Sequence, residues 1–161
     1  MLMQFKAMIV SLFMAFNTGV AAEPAINIGN IDNLREMACL AQAVHGEAAN
    51  QSFKGKVAVA YVILNRSKNS EFPTDICKVV NQKGQFKFAK NKRFNEKNPA
   101  VLAQAKEGIQ AAYVALTGEV DDPTHGALYF VNHKIAKQAI WRTKYKHLAR
   151  IDGHDFFVRK A

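Results

Sequence analysis

An apolar run of eight residues, 57–64, constrains the fold of this chain more than any other feature of its sequence. The run is apolar on every face, so the element that it forms must be buried on all sides. Val, Ile and Tyr favour strands, and a buried strand is one interpretation. The apolar run continues into polar residues as far as Lys68 without Gly or Pro, and that length favours a central helix. We therefore predict a helix in the middle of the core.

Two further helices are predicted, one before and one after this run. The first carries apolar residues at helical spacing, at Leu34, Met37, Ala41, Val44 and Ala48. Asp32 or Asn33 can cap its free N–H groups. The second begins with Asn98 as N-cap and Pro99 at the first helical position, and it ends at Gly118. Its predicted apolar stripe consists of Leu102, Ala105, Ile109, Ala112 or Tyr113, and Leu116.

A small sheet is predicted after the last long helix. Residues 127–131 and 154–159 have the composition of strands, and we expect them to pair antiparallel. Residues 74–80 can form one or two helical turns. Residues 81–98 form a long basic stretch without a clear period, which indicates a functional loop. The predicted fold class is α+β, mostly α, with a small antiparallel sheet near the C-terminus.

The first 22 residues are typical of a signal peptide. Lys6 gives a positive start, residues 7–16 are apolar, and cleavage after Ala22 fits the small residues that precede it. An uncleaved membrane anchor is the alternative, but the apolar run is shorter than the roughly 20 residues that span a bilayer. We predict a protein exported to the periplasm or secreted, divided into a signal peptide at 1–22, a lead-in at 23–33 and one domain at 34–161.

The charge and the cysteines of the chain both bear on where it works. The net charge of +9 indicates an anionic partner, and an exported protein meets wall peptidoglycan, anionic lipids or surface phosphates more often than nucleic acid. Cys39 and Cys77 are the only cysteines and match no CxxC motif. In an oxidising compartment they favour a disulfide, whereas two buried thiols are the alternative in the cytosol.

Glu47 is the strongest candidate for an acid–base residue. It lies one to two turns beyond Leu40, Ala43 and Val44, at the rim of the apolar face of the first predicted helix. A carboxylate whose charged form is poorly solvated holds its proton more tightly, as a general acid must near neutral pH. Gly46 beside it would let a bulky polymer approach. From this helix alone, a solvated surface glutamate is the alternative.

Several short motifs follow one another along the chain. They are His45-Gly46-Glu47-Ala48, Gly55-Lys-Val-Ala-Val-Ala, Val62-Ile-Leu-Asn-Arg66, Phe72-Pro73-Thr74-Asp-Ile-Cys77-Lys-Val-Val80, Gln82-Lys-Gly-Gln85-Phe86, and Asp122-Pro-Thr-His-Gly-Ala-Leu-Tyr-Phe130 with Asn132. Each motif is weak alone. In this order and at this spacing, over residues 40–157, the chain resembles the cell wall hydrolase family that includes the spore cortex-lytic enzymes.

The resemblance implies a lysozyme-like fold and cleavage of the peptidoglycan glycan strand after N-acetylmuramic acid, with the family's catalytic glutamate at Glu47. It also implies a groove in which sugars stack on aromatic rings and bind amides, formed by Gln85, Phe86, Tyr129, Phe130 and Asn132. Trp141 would be a sugar platform or a core residue. Core packing is also the alternative for at least one of the other aromatic side chains. The resemblance further places Cys39 close to Cys77.

No partner carboxylate is evident beside Glu47. Glycosidases with two carboxylates hold the second group within roughly 5–9.5 Å of the first. The candidates lie in turns, at Glu71, Asp75, Asp121 and Asp122. A lytic transglycosylase route, in which the 6-hydroxyl of the sugar attacks, is therefore favoured over hydrolysis by water. The sequence departs from the family pattern in its lysine-rich residues 87–98 and at His133, where many relatives carry proline.

Two other function classes compete with this interpretation. A zinc hydrolase could use the histidines, at His45, His125, His133, His147 and His154. There is no HExxH motif, and His45 and Glu47 project from different helix faces, so we expect no metal or other cofactor. A noncatalytic basic wall-binding module would use Lys83, Lys87, Lys90, Lys92 and Arg93 around Phe86, Phe88 and Phe94. We expect a monomer that binds peptidoglycan, contacts anionic wall or membrane surfaces, and binds no nucleic acid. A phage endolysin and a bacterial enzyme both fit.

Overall fold

The computed structural model describes residues 31–86 and 98–161. The elements in chain order are α1 (Ile31–Ala48), α2 (Phe53–Ser67), α3 (Ile76–Asn81), α4 (Pro99–Thr117), β1 (Tyr129–Asn132), α5 (His133–Ala136), α6 (Ala139–Lys144), β2 (Tyr145–Ile151) and β3 (His154–Arg159). The predicted signal peptide lies outside the described residues, as do Lys87, Phe88, Lys90, Lys92, Arg93 and Phe94. No helix within 31–86 or 98–161 is long and apolar enough to cross a membrane.

The predicted central helix is confirmed as α2. Its start is capped by Ser52, whose hydroxyl accepts a hydrogen bond from the backbone N–H of Gly55 at 3.2 Å. Most of its apolar residues pack against α1, α3 and α4. Ala58 and Val62, on the other side, pack against the sheet. Because both sides of α2 are covered, the apolar run has no polar face, and each buried Val, Ile or Leu stabilises the fold by about 1.5–3 kcal/mol.

The first helix starts earlier than the sequence predicts. α1 begins at Ile31, so Asp32 and Asn33 lie in its first turn and the prediction of an N-cap at either residue is wrong. Asn33 and Leu34 in this turn are exposed, so water can satisfy free N–H groups there, and α1 extends beyond a residue that would have capped it. Leu34 in this part of the helix is 39% exposed, whereas Val44 and Ala48 are fully buried.

α3 is fastened to α1 by a disulfide and by polar contacts. Cys39 and Cys77 form the disulfide. Asp75 caps the start of α3 by accepting from the backbone N–H of Lys78 at 2.8 Å, and its carboxylate also pairs with Arg35 of α1. The turns that the sequence predicts at residues 74–80 thus form one short helix beside the first.

The buried face of α4 differs from the predicted one. The caps are correct, with Asn98 at the start and Gly118 in the left-handed conformation at the end. The large residues of the predicted stripe are exposed, by 38% at Leu102, 48% at Ile109 and 37% at Leu116. The residues that α4 buries are small: Ala105, Gly108, Ala111, Ala112 and Ala115. A Cβ atom on Gly108 would lie 3.6 Å from Cβ of His45, so small residues permit the close approach of α4 to α1.

The antiparallel pairing predicted for two strands is confirmed, and a third strand joins them. The order is β1-β3-β2, with all neighbours antiparallel. β1 begins two residues later than predicted, at Tyr129, and β3 has the predicted bounds. β2 is not among the predicted strands, although the Asp152-Gly153 turn that joins it to β3 is typical of hairpins.

The two faces of the sheet have different surroundings. The inner face carries Phe130 and Phe156, which stack with centroids 6.0 Å apart and pack in the cluster formed with α2. The outer face carries Tyr145 and Phe157, and Trp141 of α6 lies against both of these rings, 4.6 and 5.1 Å away. The core therefore lies on one side of the sheet, and α6 partly covers the other.

Asp155 joins three elements on the outer face. Its side chain is 1% exposed, and it accepts hydrogen bonds from His133 Nδ1 of α5 at 2.7 Å, and from His147 Nε2 and Arg150 Nε of β2 at 2.9 and 2.7 Å. Burial raises the pKa of Asp155, but the hydrogen bonds from Arg150, His133 and His147 outweigh it and lower this pKa to about 2.

Asp155→Asn should therefore lower the free energy of unfolding by about 2–3 kcal/mol at neutral pH, because the buried carboxylate binds three donors. A carboxyl group whose pKa is lowered by folding stabilises the folded state fully at pH values above its ordinary pKa, which is 3.8 for Asp155. This stabilisation is lost as the pH falls from 3.8 toward 2. The stability difference between wild type and variant should shrink over that range in urea unfolding experiments. Asp121→Asn, at an exposed position, is the matched control. An equal loss in the control, or a difference independent of pH, would contradict the assignment.

Candidate active site

Glu47 lies in the last turn of α1, at the border between core and solvent. Its neighbours Val44 and Ala48 are fully buried, and Gly46 is buried as well. The Glu47 side chain is half-buried, and its Oε1 atom is out of contact with solvent. A carboxyl group in such a position can meet a substrate at the surface while the apolar core limits its hydration.

The chain that follows Glu47 is held against the β2–β3 turn. Gln51 Oε1 accepts from the backbone N–H of Gly153 at 3.1 Å, and Asp152 accepts from the N–H and the hydroxyl of Ser52 at 2.8 and 2.7 Å. A Cβ atom on Gly55 would lie 2.9 Å from Cβ of Gln51 and closer still to Asp152, so only glycine fits there. These contacts fix the end of α1 beside the sheet.

His154 begins β3 directly after this turn and is half-buried. Its ring lies edge-on to Phe130, with centroids 5.2 Å apart. Burial lowers the pKa of His154 although Asp152 and Asp155 act against this, so the imidazole is neutral at pH 7. In the sequence, His154 is a candidate only as one of the five histidines of a possible zinc site. Among the described residues, no group of three or more His, Cys, Asp or Glu side chains is placed to hold a metal ion.

Arg66, near the C-terminal end of α2, organises a second part of the site. It is 3% exposed, and burial lowers its pKa to about 10, so it remains charged at neutral pH. Its Nε donates to the carbonyl of Leu128 at 2.7 Å, and its Nη1 donates to Oε1 of Gln85 at 3.1 Å. Its guanidinium carbon lies 5.2–5.6 Å from three ring centroids, those of Phe72, Phe86 and Tyr129.

The structure thus brings Gln85, Phe86 and Tyr129 together around Arg66. Phe130 lies next to Phe86, with ring centroids 6.3 Å apart, but on the opposite face of β1 from Tyr129. Phe86 has a positive φ of 46° and is 6% exposed, so most of its ring is part of the core. Gln85 is exposed. Arg66 is not among the site residues predicted from the sequence, although it ends the motif Val62-Ile-Leu-Asn-Arg66.

Asn132 and Trp141, the other two predicted groove residues, lie further along the sheet. Asn132 is exposed at the end of β1, and its Oδ1 caps α5 by accepting from the N–H of Lys134 at 2.9 Å. Trp141 lies on the outer face and packs against Tyr145. The ring of Tyr145 in turn lies 5.1 Å from that of Tyr129, measured between centroids. Trp141 is predicted to be either a sugar platform or a core residue. Its ring packs on aromatic neighbours and also lines an open pocket, so both predictions stay open.

Two of the four candidate second carboxylates have structural partners. Asp75 caps α3, as described above. Asp122 accepts from Asn65, from the N–H and hydroxyl of Thr124 and from the N–H of Gly126, at 2.6–2.9 Å. Burial raises the pKa of Asp122, but these hydrogen bonds outweigh it and lower the pKa. Glu71 and Asp121 are exposed.

Comparison with known sequences places the chain in a family. The sequence model described as Cell Wall Hydrolase matches residues 50–157. The chain belongs to the cell wall hydrolase family. The matched residues contain Arg66, Gln85, Phe86, β1, β2 and most of β3, and they begin just after Glu47.

Similar members of the cell wall hydrolase family include spore cortex-lytic enzymes. The chain is 32% identical over 136 residues to that of Halalkalibacterium halodurans, which covers 83% of this chain and 38% of the relative. It is 32% identical over 118 residues to that of Bacillus subtilis, covering 73% of this chain and 35% of the relative. The chain therefore spans less than half the length of these relatives.

Solved structures of two catalytic domains share the fold. The catalytic domain of the germination-specific lytic transglycosylase SleB from Bacillus anthracis matches with a TM-score of 0.60 and 28% identity, over 76% of this chain and 93% of that domain. The catalytic domain of the Bacillus cereus SleB protein matches with a TM-score of 0.62 and 27% identity, over 78% and 91%. The predicted α+β, mostly helical, lysozyme-like fold class is confirmed.

Arg66→Lys should lower the free energy of unfolding of this cell wall hydrolase domain by about 1–3 kcal/mol, because an ammonium cannot reproduce both hydrogen bonds and the planar ring contacts. Urea unfolding of wild type and variant measures the loss. Arg142→Lys makes the same substitution at an exposed position and should leave stability within about 0.5 kcal/mol of wild type. Equal stability of all three proteins would show that Arg66 does not organise the cluster.

Proposed function

We propose that the chain cleaves the glycan strands of bacterial peptidoglycan after N-acetylmuramic acid, as a lytic transglycosylase with Glu47 as its general acid. Membership of the cell wall hydrolase family supports peptidoglycan as the substrate, and the fold shared with a lytic transglycosylase domain supports the type of reaction. The observation that carries the choice of Glu47 is its half-buried carboxyl group at the end of α1.

In the proposed reaction, protonated Glu47 donates its proton to the glycosidic oxygen as the bond to C1 of N-acetylmuramic acid breaks. The positive charge that develops at C1 is relieved by attack of the 6-hydroxyl of the same sugar. Glu47, now a carboxylate, takes the proton from that hydroxyl and returns to its starting state. The products are a 1,6-anhydro end and a free 4-hydroxyl, and no water is consumed.

The environments of two amides support a role in binding sugar acetamido groups. Arg66 holds the Oε1 of exposed Gln85, and the N–H of Lys134 holds the Oδ1 of exposed Asn132. With each oxygen engaged, the amide NH₂ group faces away as a donor. Sugar carbonyls and hydroxyls require such donors. We include Gln85 and Asn132 in the groove, with the half-buried rings of Tyr129, Phe130 and Trp141 as its aromatic residues. Phe86, which is 6% exposed, supports them mainly from the core.

The described carboxylates favour the 6-hydroxyl over water as the nucleophile. Hydrolysis with a second carboxylate needs a group free to activate water. Asp75 and Asp122 have structural partners, and Asp152 and Asp155 hold the sheet to its surroundings. Of the four carboxylates predicted as possible second catalytic groups, Glu71 and Asp121 remain candidates for activating water. Substitution of these two residues therefore separates hydrolysis from the transglycosylase reaction.

The proposed place of action is the cell wall outside the cytoplasmic membrane. The predicted signal peptide, removed near Ala22, and the net charge of +9 support an exported protein that acts on an anionic polymer. We propose that the domain at 34–161 acts as a monomer and without a cofactor.

Glu47→Gln should fold normally and lose glycan cleavage by a factor of about 10²–10⁴, because the amide cannot donate the proton. The measurement is release of soluble fragments from purified peptidoglycan, with circular dichroism to check folding. Glu36→Gln is the matched control on the same helix, since an amide oxygen can still accept from the N–H of Ile76, as Glu36 does at 3.2 Å. Near-wild-type cleavage by folded Glu47→Gln would refute the assignment.

The cleavage products should end in 1,6-anhydro-N-acetylmuramic acid, lighter by one water than a reducing end. Mass spectrometry of fragments released in heavy-oxygen water measures the mass of the new end and its isotope content. Hydrolysis would place the isotope in the new end, whereas the transglycosylase reaction would not. The experiment is repeated with Glu71→Gln and Asp121→Asn, which should give the same products at similar rates. Exclusively labelled reducing ends would overturn the transglycosylase reaction and leave Glu47 as the acid to be tested.

A further inference from the structure

The outer face of the sheet contains an open pocket of about 740 Å³. α5, α6, β2 and β3 all contribute to it. Five of its lining residues are cations: Lys137, Arg142, Lys146, Arg150 and Lys160. Asp155 is the one acidic residue in the lining, and it is already bound to His133, His147 and Arg150. The pocket therefore presents an excess of positive charge to a ligand, which favours an anion.

Asp155 gives this pocket a fixed geometry. The Asp155 side chain is 1% exposed and accepts a hydrogen bond from Nε of Arg150 at 2.7 Å. This bond orients the guanidinium of Arg150, although the Arg150 side chain is 55% exposed. The contact with Asp155 uses the Nε of Arg150, and the guanidinium also carries two terminal NH₂ groups. These groups can form paired hydrogen bonds with the two oxygens of a carboxylate.

The floor of the pocket is aromatic. Trp141 packs on Tyr145 and Phe157 at tilts of 34° and 38°, and all three rings line the pocket. An aromatic floor favours small apolar groups and sugar faces, whereas a purely phosphate-binding site needs only cations and N–H donors. The combination fits a ligand that carries carboxylates on a short chain with methyl groups.

We propose that this pocket binds the stem peptide of peptidoglycan through its carboxylates. A stem peptide supplies free carboxylates and alanine methyl groups, which match the cations and the aromatic floor. The inference rests on the proposed function because it takes peptidoglycan as the substrate. It adds a contact with the peptide to the groove residues proposed for the sugars.

Fluorescence tests the proposal directly, because Trp141 is the only tryptophan of the chain. The purified protein is titrated with the disaccharide-tetrapeptide of N-acetylglucosamine and N-acetylmuramic acid, which contains no bond of the kind proposed to be cleaved. We expect a saturable change in emission. Arg142→Gln with Lys146→Gln should raise the Kd about tenfold, since two charge-assisted contacts are removed.

Matched controls separate a specific site from general charge effects. Lys68→Gln with Lys106→Gln removes the same charge from exposed positions outside the pocket and should change the Kd less than twofold. The same disaccharide without peptide should bind at least tenfold more weakly, because it can contact the groove but not the cations of the pocket, and inorganic phosphate should compete only weakly.

Several outcomes would overturn the proposal. They are no emission change with the peptide-bearing ligand, equal binding of the peptide-free disaccharide, competition by phosphate at equal concentration, and equal weakening in the control variant. The readout is binding at Trp141 and needs no catalysis, so an inactive protein that still binds would refute the proposed function and leave this inference intact. A protein that cleaves peptidoglycan but does not bind the peptide-bearing ligand at this pocket would refute this inference and leave the proposed function intact.

Discussion

Burial of α2 on every side is the constraint on which the rest of the structure depends. Helices cover one side of it and the sheet covers the other. The ends of the helix also carry buried cations. Lys56 is 2% exposed and donates to the carbonyl of Gln51 at 2.6 Å and to Glu107 at 2.9 Å, whereas Arg66 is enclosed by aromatic rings. Both charges require fixed partners, so the loops at each end of α2 have little freedom.

The two ends of α2 thereby position the two parts of the candidate site. At the N-terminal end, Ser52 and Gly55 hold the β2–β3 turn against the chain that follows Glu47. At the C-terminal end, Arg66 holds Gln85 and gathers aromatic side chains around it. The proposed acid and the proposed sugar-binding groups are thus supported by one helix, which is buried from Gly55 to Leu64. This is a suitable basis for chemistry that depends on the placement of a proton donor.

Local chemistry was predictable wherever one segment decided its own structure. The caps of α4 at Asn98 and Gly118 follow from the preferences of single residues. The same helix shows where such reasoning fails, because its sequence offers a stripe of large apolar residues and a face of small ones. Packing against α1 at Gly108 selects the small face. The mechanism assigned to Glu47 stays a proposal that rests on its position and on the family.

The sequence by itself determined that residues 57–64 must be central, that a helical domain ends in antiparallel strands, and which family motifs the chain carries. Only the tertiary structure decided what surrounds each side chain. Arg66 gathers residues from three separate segments, and Asp155 joins two histidines and an arginine across α5, β2 and β3. Propensity and periodicity act within one segment, whereas the burial of a charge is settled by contacts between segments distant in the chain.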